Sequence, residues 1–169
     1  VLNHIAASDE PWCVHLSLRA PHPPWVAPAP YHERYAIDDL PQPVGRESLA
    51  AEQSLHPWLQ EHLANGRNQR HVDEIRHRKL QASYYGLMSE VDDNMGRLIA
   101  TLKERGEWDD TIFIFTSDHG EQMGDHWLYG KAGFFDQSFH IRLIIACPGV
   151  RPAVCDEFTE HVDIFPTLM

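Results

Sequence analysis

Long hydrophobic runs are missing from this chain of 169 residues. No apolar stretch approaches the roughly 18 residues that a membrane-spanning helix needs. Cysteine is also scarce: Cys13, Cys147 and Cys155 are widely spaced and odd in number, which is not the pattern of a disulfide framework. Unpaired cysteines favour a cytoplasmic location. The apolar neighbours of Cys13 and Cys147 predict that both are small buried side chains.

Basic residues are outnumbered by acidic residues. Lys and Arg total 14 against 25 Asp and Glu, so the formal net charge is −11. This excess argues against nucleic acid or an anionic membrane surface as the main partner. A small anionic substrate remains compatible, because a metal ion or one lysine creates a local positive potential inside an acidic protein.

Both ends of the sequence lack the usual boundary signals. The chain has no start Met and no signal-peptide pattern, and "HVDIFPTLM" stops within what reads as the beginning of a helix. We therefore expect a fragment of a longer protein. Its length and its 43% of hydrophobic residues still allow one domain with a core.

Hydrophobic periodicity predicts an α/β arrangement. A helix is expected over 79–105, where apolar residues recur every three or four positions, and Gly106 is its expected C-terminal cap. Buried strands are expected at 12–18, 111–118 and 141–147, where β-branched and aromatic residues are concentrated. Alternation of strands with helices is typical of an α/β fold.

The middle and the end of the chain are less regular. Segment 36–78 is polar and interrupted by prolines, which predicts surface loops with one or two short helices. The charged cluster at 67–79 is expected to be a solvated helical face. A last helix begins within 157–169, with His161 and Asp163 as its N-terminal caps.

The loop after the strand at 111–118 is rich in chemically active side chains. Asp118 and His119 stand where the strand breaks into a turn, and Gly120 permits that turn. Functional sites of open α/β sheets lie at the carboxyl ends of strands. A carboxylate beside an imidazole suits a divalent cation, although two ligands do not complete a site. The alternative is an Asp that caps the next helix beside a core His.

Two further candidates are expected near this edge. Lys131 follows Asp118 by thirteen residues in the same glycine-containing loop, and its compact ammonium suits an anionic oxygen. His22 follows the strand expected at 12–18, and the prolines around it leave little entropy to lose on binding. Taken alone, a residue such as His22 is more often a surface histidine.

These motifs resemble the sulfatase family of the alkaline phosphatase superfamily. "SLRAPHPPW" is similar to the family's strand and His-Pro loop, "FTSDHGEQMGDHWLYGKAGFFDQSFHIRLII" to its metal-binding strand and Gly-Lys loop, and "EHVDIFPTLM" to the segment that follows. The details look most like the phosphonate monoester hydrolase and phosphodiesterase branch. The resemblance implies an alkaline-phosphatase-like three-layer sandwich with a mixed, mostly parallel sheet. Residues 1–169 would form part of a single catalytic domain, with 36–78 as an irregular insert.

The resemblance also implies roles for the four candidates. Asp118 and His119 would bind a divalent metal ion, for which Ca²⁺, Mn²⁺ and Zn²⁺ are all compatible. Lys131 would contact non-bridging oxygens of the sulfuryl or phosphoryl group, and His22 would donate to the leaving oxygen. The implied activity is metal-dependent hydrolysis of a small sulfate, phosphonate or phosphate ester. A homo-oligomer of the full-length protein is compatible with it.

The nucleophile of the family is missing from this chain. The family uses a Cys in a C-x-P-x-R motif, oxidised to formylglycine, and paired acidic metal ligands from an early strand. Both precede the His-Pro loop, and neither is found here. "CPGVR" at 147–151 has its Pro in the wrong place and stands too late in the order, so Cys147 is not expected to be the nucleophile. We therefore expect the chain to carry the second half of the active site and to be inactive alone.

Some alternatives stay open. The chain could be a degenerate, non-catalytic module that binds a metal or an anion, or a relative that uses Thr or Ser as nucleophile. Arg142 stands where relatives usually carry Pro, which marks either local drift or a pocket contact. His126 and His140 are expected to be structural, and Asp125 a cap or turn acid.

Overall fold

A computed structural model describes residues 10–66 and 68–169, and one long helix dominates it. The helices are α1 (Leu49–Gln53), α2 (Pro57–Ala64), α3 (Glu74–Glu104), α4 (Asp136–Phe139) and α5 (Ile164–Leu168), and the strands are β1 (Phe113–Thr116) and β2 (Leu143–Ala146). Short 3₁₀ turns lie at Tyr31–Glu33, Ile37–Asp39, Trp108–Asp110, Asp125–Trp127 and His161–Asp163.

Helix α3 is longer than its periodicity predicts. It begins after Asp73, whose Oδ1 accepts a hydrogen bond from the backbone N–H of Arg76 at 3.1 Å. It therefore starts five residues before the predicted 79–105 segment, because a capping acid outweighs the polar character of its first turn. The predicted cap Gly106 is confirmed: its φ is 72° and its N–H donates to the Lys103 carbonyl at 3.0 Å.

The buried face of α3 supports the loop that carries His22. A Cβ on Gly86 would lie 2.6 Å from the Tyr31 carbonyl oxygen, so the loop approaches the helix too closely for any side chain. Ser83 Oγ donates to the Trp25 carbonyl at 3.0 Å. The loop that carries His22 is therefore held against α3 at Trp25, three residues further along the chain.

The charged cluster at 67–79 is only in part the solvated face that its composition predicts, since Asp73, Glu74, Arg76 and Lys79 are exposed. Arg67 lies outside the described residues, but His77 is wholly buried and Arg78 is only 6% exposed. Arg78 is buried because its guanidinium donates to the backbone carbonyls of Ile37 and Pro41, among others. A buried arginine is stable when its donors are satisfied in this way.

Segment 36–78 also contributes to the core. Leu59 and Leu63 lie one turn apart on α2 and pack with Leu128 in a buried cluster. The expectation of short helices in this segment is confirmed by α1 and α2, whereas the expectation that they lie only on the surface is wrong. One face of α2 is apolar, and an apolar helical face is buried when a second element covers it.

Strands β1 and β2 pair in antiparallel register, with Thr116 opposite Leu143. They form one two-stranded sheet within residues 10–66 and 68–169. The mostly parallel sheet implied by the family resemblance therefore stays a prediction. The strands were expected to be buried, but Ile144 is 57% exposed and Ile145 is 45% exposed. Their outer faces are open because no described layer covers them.

The strand expected at 12–18 does not form. Among the described residues, no backbone hydrogen bond pairs this segment with a neighbour, and Cys13, expected to be buried, is exposed. An apolar run becomes a strand only where another segment exchanges backbone hydrogen bonds with it. Cys147 is half-buried and Cys155 is exposed, and all three thiols are free.

None of the helices within the described part of the chain is both long and apolar enough to cross a membrane.

Candidate active site

The turn after β1 brings Asp118 and His119 together. Asp118 Oδ1 accepts a hydrogen bond from the His119 backbone N–H at 3.0 Å, and Asp118 Oδ2 lies 3.4 Å from His119 Nε2. The Asp118 side chain is 86% exposed and that of His119 28%. The carboxylate and the imidazole therefore face the same accessible point, as the sequence predicts.

Contacts of His119 determine which ring nitrogen carries the proton. Nδ1 lies 2.8 Å from the Gly120 carbonyl oxygen, which can only accept, so Nδ1 donates. Nε2 then keeps its lone pair, and the Lys131 ammonium lies 2.5 Å from it. A ligand histidine in metalloproteins usually has its second nitrogen bonded in this way. The structure thus joins Asp118, His119 and Lys131 in one cluster.

The donor set for a metal ion is incomplete. Within residues 10–66 and 68–169, no group of three or more His, Cys, Asp or Glu side chains is arranged to hold a metal ion. Asp118 and His119 supply one carboxylate and one imidazole nitrogen, Nε2, which suit a divalent cation as two of its ligands. They fit as part of a coordination shell and not as a whole one.

The fold of the loop explains why Lys131 returns to His119. Gly120 N–H donates to the Ser138 carbonyl at 2.8 Å, and a Cβ at Gly120 would come within 1.9 Å of the α4 backbone. Gln122, which is buried, donates through its backbone N–H to the Gly130 carbonyl at 2.8 Å. These hydrogen bonds close the loop. Lys131, which follows Gly130, therefore lies beside the turn that carries Asp118 and His119.

His22 is not joined to this cluster. Its side chain is exposed, and its Nδ1 lies 2.9 Å from the Pro23 carbonyl. In the part of the chain that the structure describes, no hydrogen bond or ion pair links His22 to the other three candidates. Its role on the leaving-group side stays a prediction.

A buried acid–histidine pair, which the sequence did not reveal, anchors the loop to α1. Glu52 is wholly buried, and its Oε1 lies 2.9 Å from His126 Nδ1. The His126 ring stacks on Phe135 with centroids 4.0 Å apart. The structural role expected for His126 is confirmed. No local pattern predicts the pair, because 74 residues separate its members.

The acid next to this pair is a turn residue, as expected. Asp125 Oδ1 accepts a hydrogen bond from the Val44 backbone N–H at 2.8 Å. Burial raises the pKa of Asp125, and the hydrogen bond from Val44 opposes that rise. His140, also expected to be structural, and Arg142 are both exposed.

His161 and Asp163 have different roles at the start of the last helix. Asp163 Oδ2 accepts from the Glu160 backbone N–H at 2.7 Å, so Asp163 takes part in the N-terminal cap that the sequence predicts, of which Glu160 is the first residue. His161 is not a cap. Its Nε2 lies 2.8 Å from the Ser117 carbonyl, directly before Asp118.

Because His77 is buried, we expect the protein to lose stability in mild acid. Burial, reinforced by the cationic Arg70, lowers the pKa of His77 from 6.5 to about 4. The unfolded chain takes up this proton first, so the stabilisation is complete above pH 6.5 and is lost as pH falls toward 4. We expect the free energy of unfolding to fall by about 2–3 kcal/mol through this group.

Urea unfolding at several pH values between 7.5 and 4.5 measures this effect. In His77→Gln the fall over that interval should shrink, while in His32→Gln, at an exposed histidine, it should match the original protein. Parallel stability profiles for His77→Gln and the original protein would contradict the assignment.

Comparison with known proteins places the chain in one family. The family described as Sulfatase matches residues 1–169. The chain belongs to the sulfatase family, as its motifs predict.

Individual relatives agree with this family. The chain is 41% identical to "Multifunctional alkaline phosphatase superfamily protein PehA" of Trinickia caryophylli, covering 99% of this chain and 35% of that protein. It is 33% identical to "Choline-sulfatase" of Rhizobium meliloti (strain 1021), covering 95% of this chain and 31% of that protein. The chain thus spans about a third of the length of these relatives.

A solved structure supports the fold. The phosphonate monoester hydrolase of Agrobacterium radiobacter superposes with a TM-score of 0.81 at 38% identity, covering 88% of this chain and 31% of that one. The described residues therefore adopt part of a sulfatase-like fold of the alkaline phosphatase superfamily.

Proposed function

We propose that the full-length protein is a metal-dependent hydrolase of sulfate or phosphonate esters and that this chain carries the second half of its active site. The observation that carries the proposal is the convergence of three groups after β1. The Lys131 ammonium lies 2.5 Å from His119 Nε2, and the Asp118 carboxylate lies 3.4 Å from the same nitrogen. Relatives named as sulfatases and phosphonate monoester hydrolases support the reaction class.

The residues of this chain would divide the work between metal binding and charge stabilisation. Asp118 and His119 would hold a divalent ion such as Ca²⁺, Mn²⁺ or Zn²⁺, which when bound polarises an oxygen of the ester. The hydrogen bond from His119 Nδ1 to the Gly120 carbonyl orients the ring, so that Nε2 faces the site.

Lys131 would bind the equatorial oxygens on which negative charge develops as the ester bond breaks. The ammonium suits this task because it is exposed, compact and attached to a flexible stem. His22 would donate a proton to the departing oxygen as a general acid. Groups for nucleophilic attack would come from the rest of the full-length protein.

Among the two ester classes, the branch of phosphonate monoester hydrolases has the stronger support. The phosphonate monoester hydrolase of Agrobacterium radiobacter is 38% identical to this chain, against 33% for the choline-sulfatase. We therefore propose an aryl phosphonate monoester as the better substrate and an aryl sulfate as the weaker one.

Asp118→Ala in the full-length protein tests the metal role. We expect bound divalent metal, measured by elemental analysis, to fall well below that of the original protein, and hydrolysis of both esters to fall at least about 100-fold. The matched control is Asp92→Ala, at an exposed acid on α3, which should keep both metal and activity.

Full metal content in Asp118→Ala would assign the turn a structural role instead. An original protein that binds metal but hydrolyses neither ester would favour the non-catalytic reading of the chain.

A further inference from the structure

We propose that His161 is a positioning residue that holds the turn carrying Asp118 and His119. Its Nε2 lies 2.8 Å from the Ser117 carbonyl oxygen, and because that oxygen can only accept, the imidazole donates. The bond joins the C-terminal segment to the last residue before the two candidate ligands. The inference rests on the proposed function, in which Asp118 and His119 bind the metal.

The donor is held firmly on its own side. His161 begins a 3₁₀ turn whose cap is reciprocal: the Glu160 backbone N–H donates to the Asp163 carboxylate, and the Glu160 side chain accepts from the Asp163 backbone. Thr167 Oγ1 also donates to the Asp163 carbonyl at 2.6 Å. The imidazole is therefore presented by an ordered start of α5.

The turn itself is held at two points, one on either side of the ligands. Gly120 N–H donates to the Ser138 carbonyl at 2.8 Å beyond them, and His161 holds the Ser117 carbonyl before them. Asp118, by contrast, is 86% exposed. The direction of its carboxylate is therefore determined by the backbone that these two hydrogen bonds hold.

Loss of the His161 bond would leave the Ser117 carbonyl with the long hydrogen bond from Thr116 Oγ1, at 3.4 Å, in place of a short one. Strand β1 ends at Thr116, so beyond that residue the ladder with β2 no longer restrains the backbone. The carboxylate and the imidazole would then meet a metal ion in a wider range of orientations. Outer partners that orient metal ligands contribute about 10–100-fold to affinity.

Mn²⁺ titration of the metal-free full-length protein tests the inference. His161→Leu, which removes the donor, should weaken Mn²⁺ binding by about tenfold, at the low end of this range. His161→Ser is measured alongside, since its hydroxyl is too short to replace Nε2 as the donor to Ser117 and adds no apolar surface. His161→Gln keeps an N–H of similar reach and should restore most of the affinity.

Arg78→Met is the control for a merely destabilising effect. It removes the hydrogen bonds of a buried guanidinium to the Ile37 and Pro41 carbonyls and touches neither His161 nor the turn, so it should lower Tm more than His161→Leu does yet bind Mn²⁺ like the original protein. Original affinity in both His161→Leu and His161→Ser would overturn the inference. It would also be overturned if Arg78→Met weakened Mn²⁺ binding equally and His161→Gln restored nothing, or if the original protein did not bind Mn²⁺.

The activity assay separates the inference from the proposed function. If the original protein binds Mn²⁺ and His161→Leu weakens that binding, but neither ester is hydrolysed, then the proposed function fails and the positioning role stands. If the esters are hydrolysed while His161→Leu keeps the original Mn²⁺ affinity, the proposed function stands and the positioning role fails.

Discussion

Replacing Lys131 with alanine is expected to lower kcat/KM of the full-length protein by about 100- to 1,000-fold for aryl phosphonate and aryl sulfate esters. The ammonium lies 2.5 Å from His119 Nε2, beside the proposed metal ligands and within reach of an ester bound there. It would stabilise charge that forms mainly in the transition state, so kcat should fall more than KM rises. Bound metal should not change, because lysine is not a metal ligand in this site.

Lys103→Ala is the matched control. Lys103 is an exposed lysine of α3 whose ammonium lies 5.4 Å from the centroid of the Trp108 ring, and its loss should leave the kinetics unaltered. Lys131→Arg should not recover full activity, because a planar guanidinium cannot take the place of a compact ammonium. If Lys131→Ala hydrolyses both esters at the original rate, the lysine has no part in the reaction.

Replacing Arg78 with methionine is expected to lower the free energy of unfolding by on the order of 3 kcal/mol. Arg78 is only 6% exposed. Its guanidinium donates to the backbone carbonyls of Ile37, Leu40 and Pro41. Methionine fills similar space but donates nothing, so the Ile37 and Leu40 carbonyls lose these hydrogen bonds, while the Pro41 carbonyl keeps only the one from Gln81 Nε2 at 3.3 Å. Segment 36–43 should then detach from α3.

Urea unfolding of Arg78→Met beside Arg97→Met measures this contribution. Arg97 is exposed on the same helix, and its guanidinium donates to Asn94 Oδ1 at 3.3 Å, so its loss should cost less than about 0.5 kcal/mol. Arg78→Lys should recover little stability, because an ammonium cannot reach the separated carbonyls as the guanidinium does. If Arg78→Met and Arg97→Met lowered the free energy of unfolding equally, the buried hydrogen bonds of Arg78 would contribute less to stability than we expect.

The sequence predicted the features that depend on neighbouring residues. A stripe of apolar residues predicted α3, and its glycine stop at Gly106 was confirmed. A β-branched run that ends in Asp118 and His119 predicted a strand with polar groups at its carboxyl end. The motifs around Lys131 were specific enough to predict the sulfatase family, which comparison confirmed.

Contacts between distant segments could not be predicted in this way. Glu52 meets His126 across 74 residues, and His161 meets Ser117 across 44. The same limit explains the errors: residues 12–18 were expected to be a strand, and Arg78 was expected to lie in solvent. In each case the missing information was the identity of the segment that packs opposite.

The amino-acid sequence by itself therefore determined which residues we propose for the chemistry, because Asp118, His119 and Lys131 lie in one loop with the spacing of a known family. Only the tertiary structure decided how that loop is held. Periodicity defines the two faces of a helix or a strand but not the partner of either face. Glu52 and Arg78 are buried through hydrogen bonds that exist only after the chain has folded. The same holds for the hydrogen bond between His161 and Ser117.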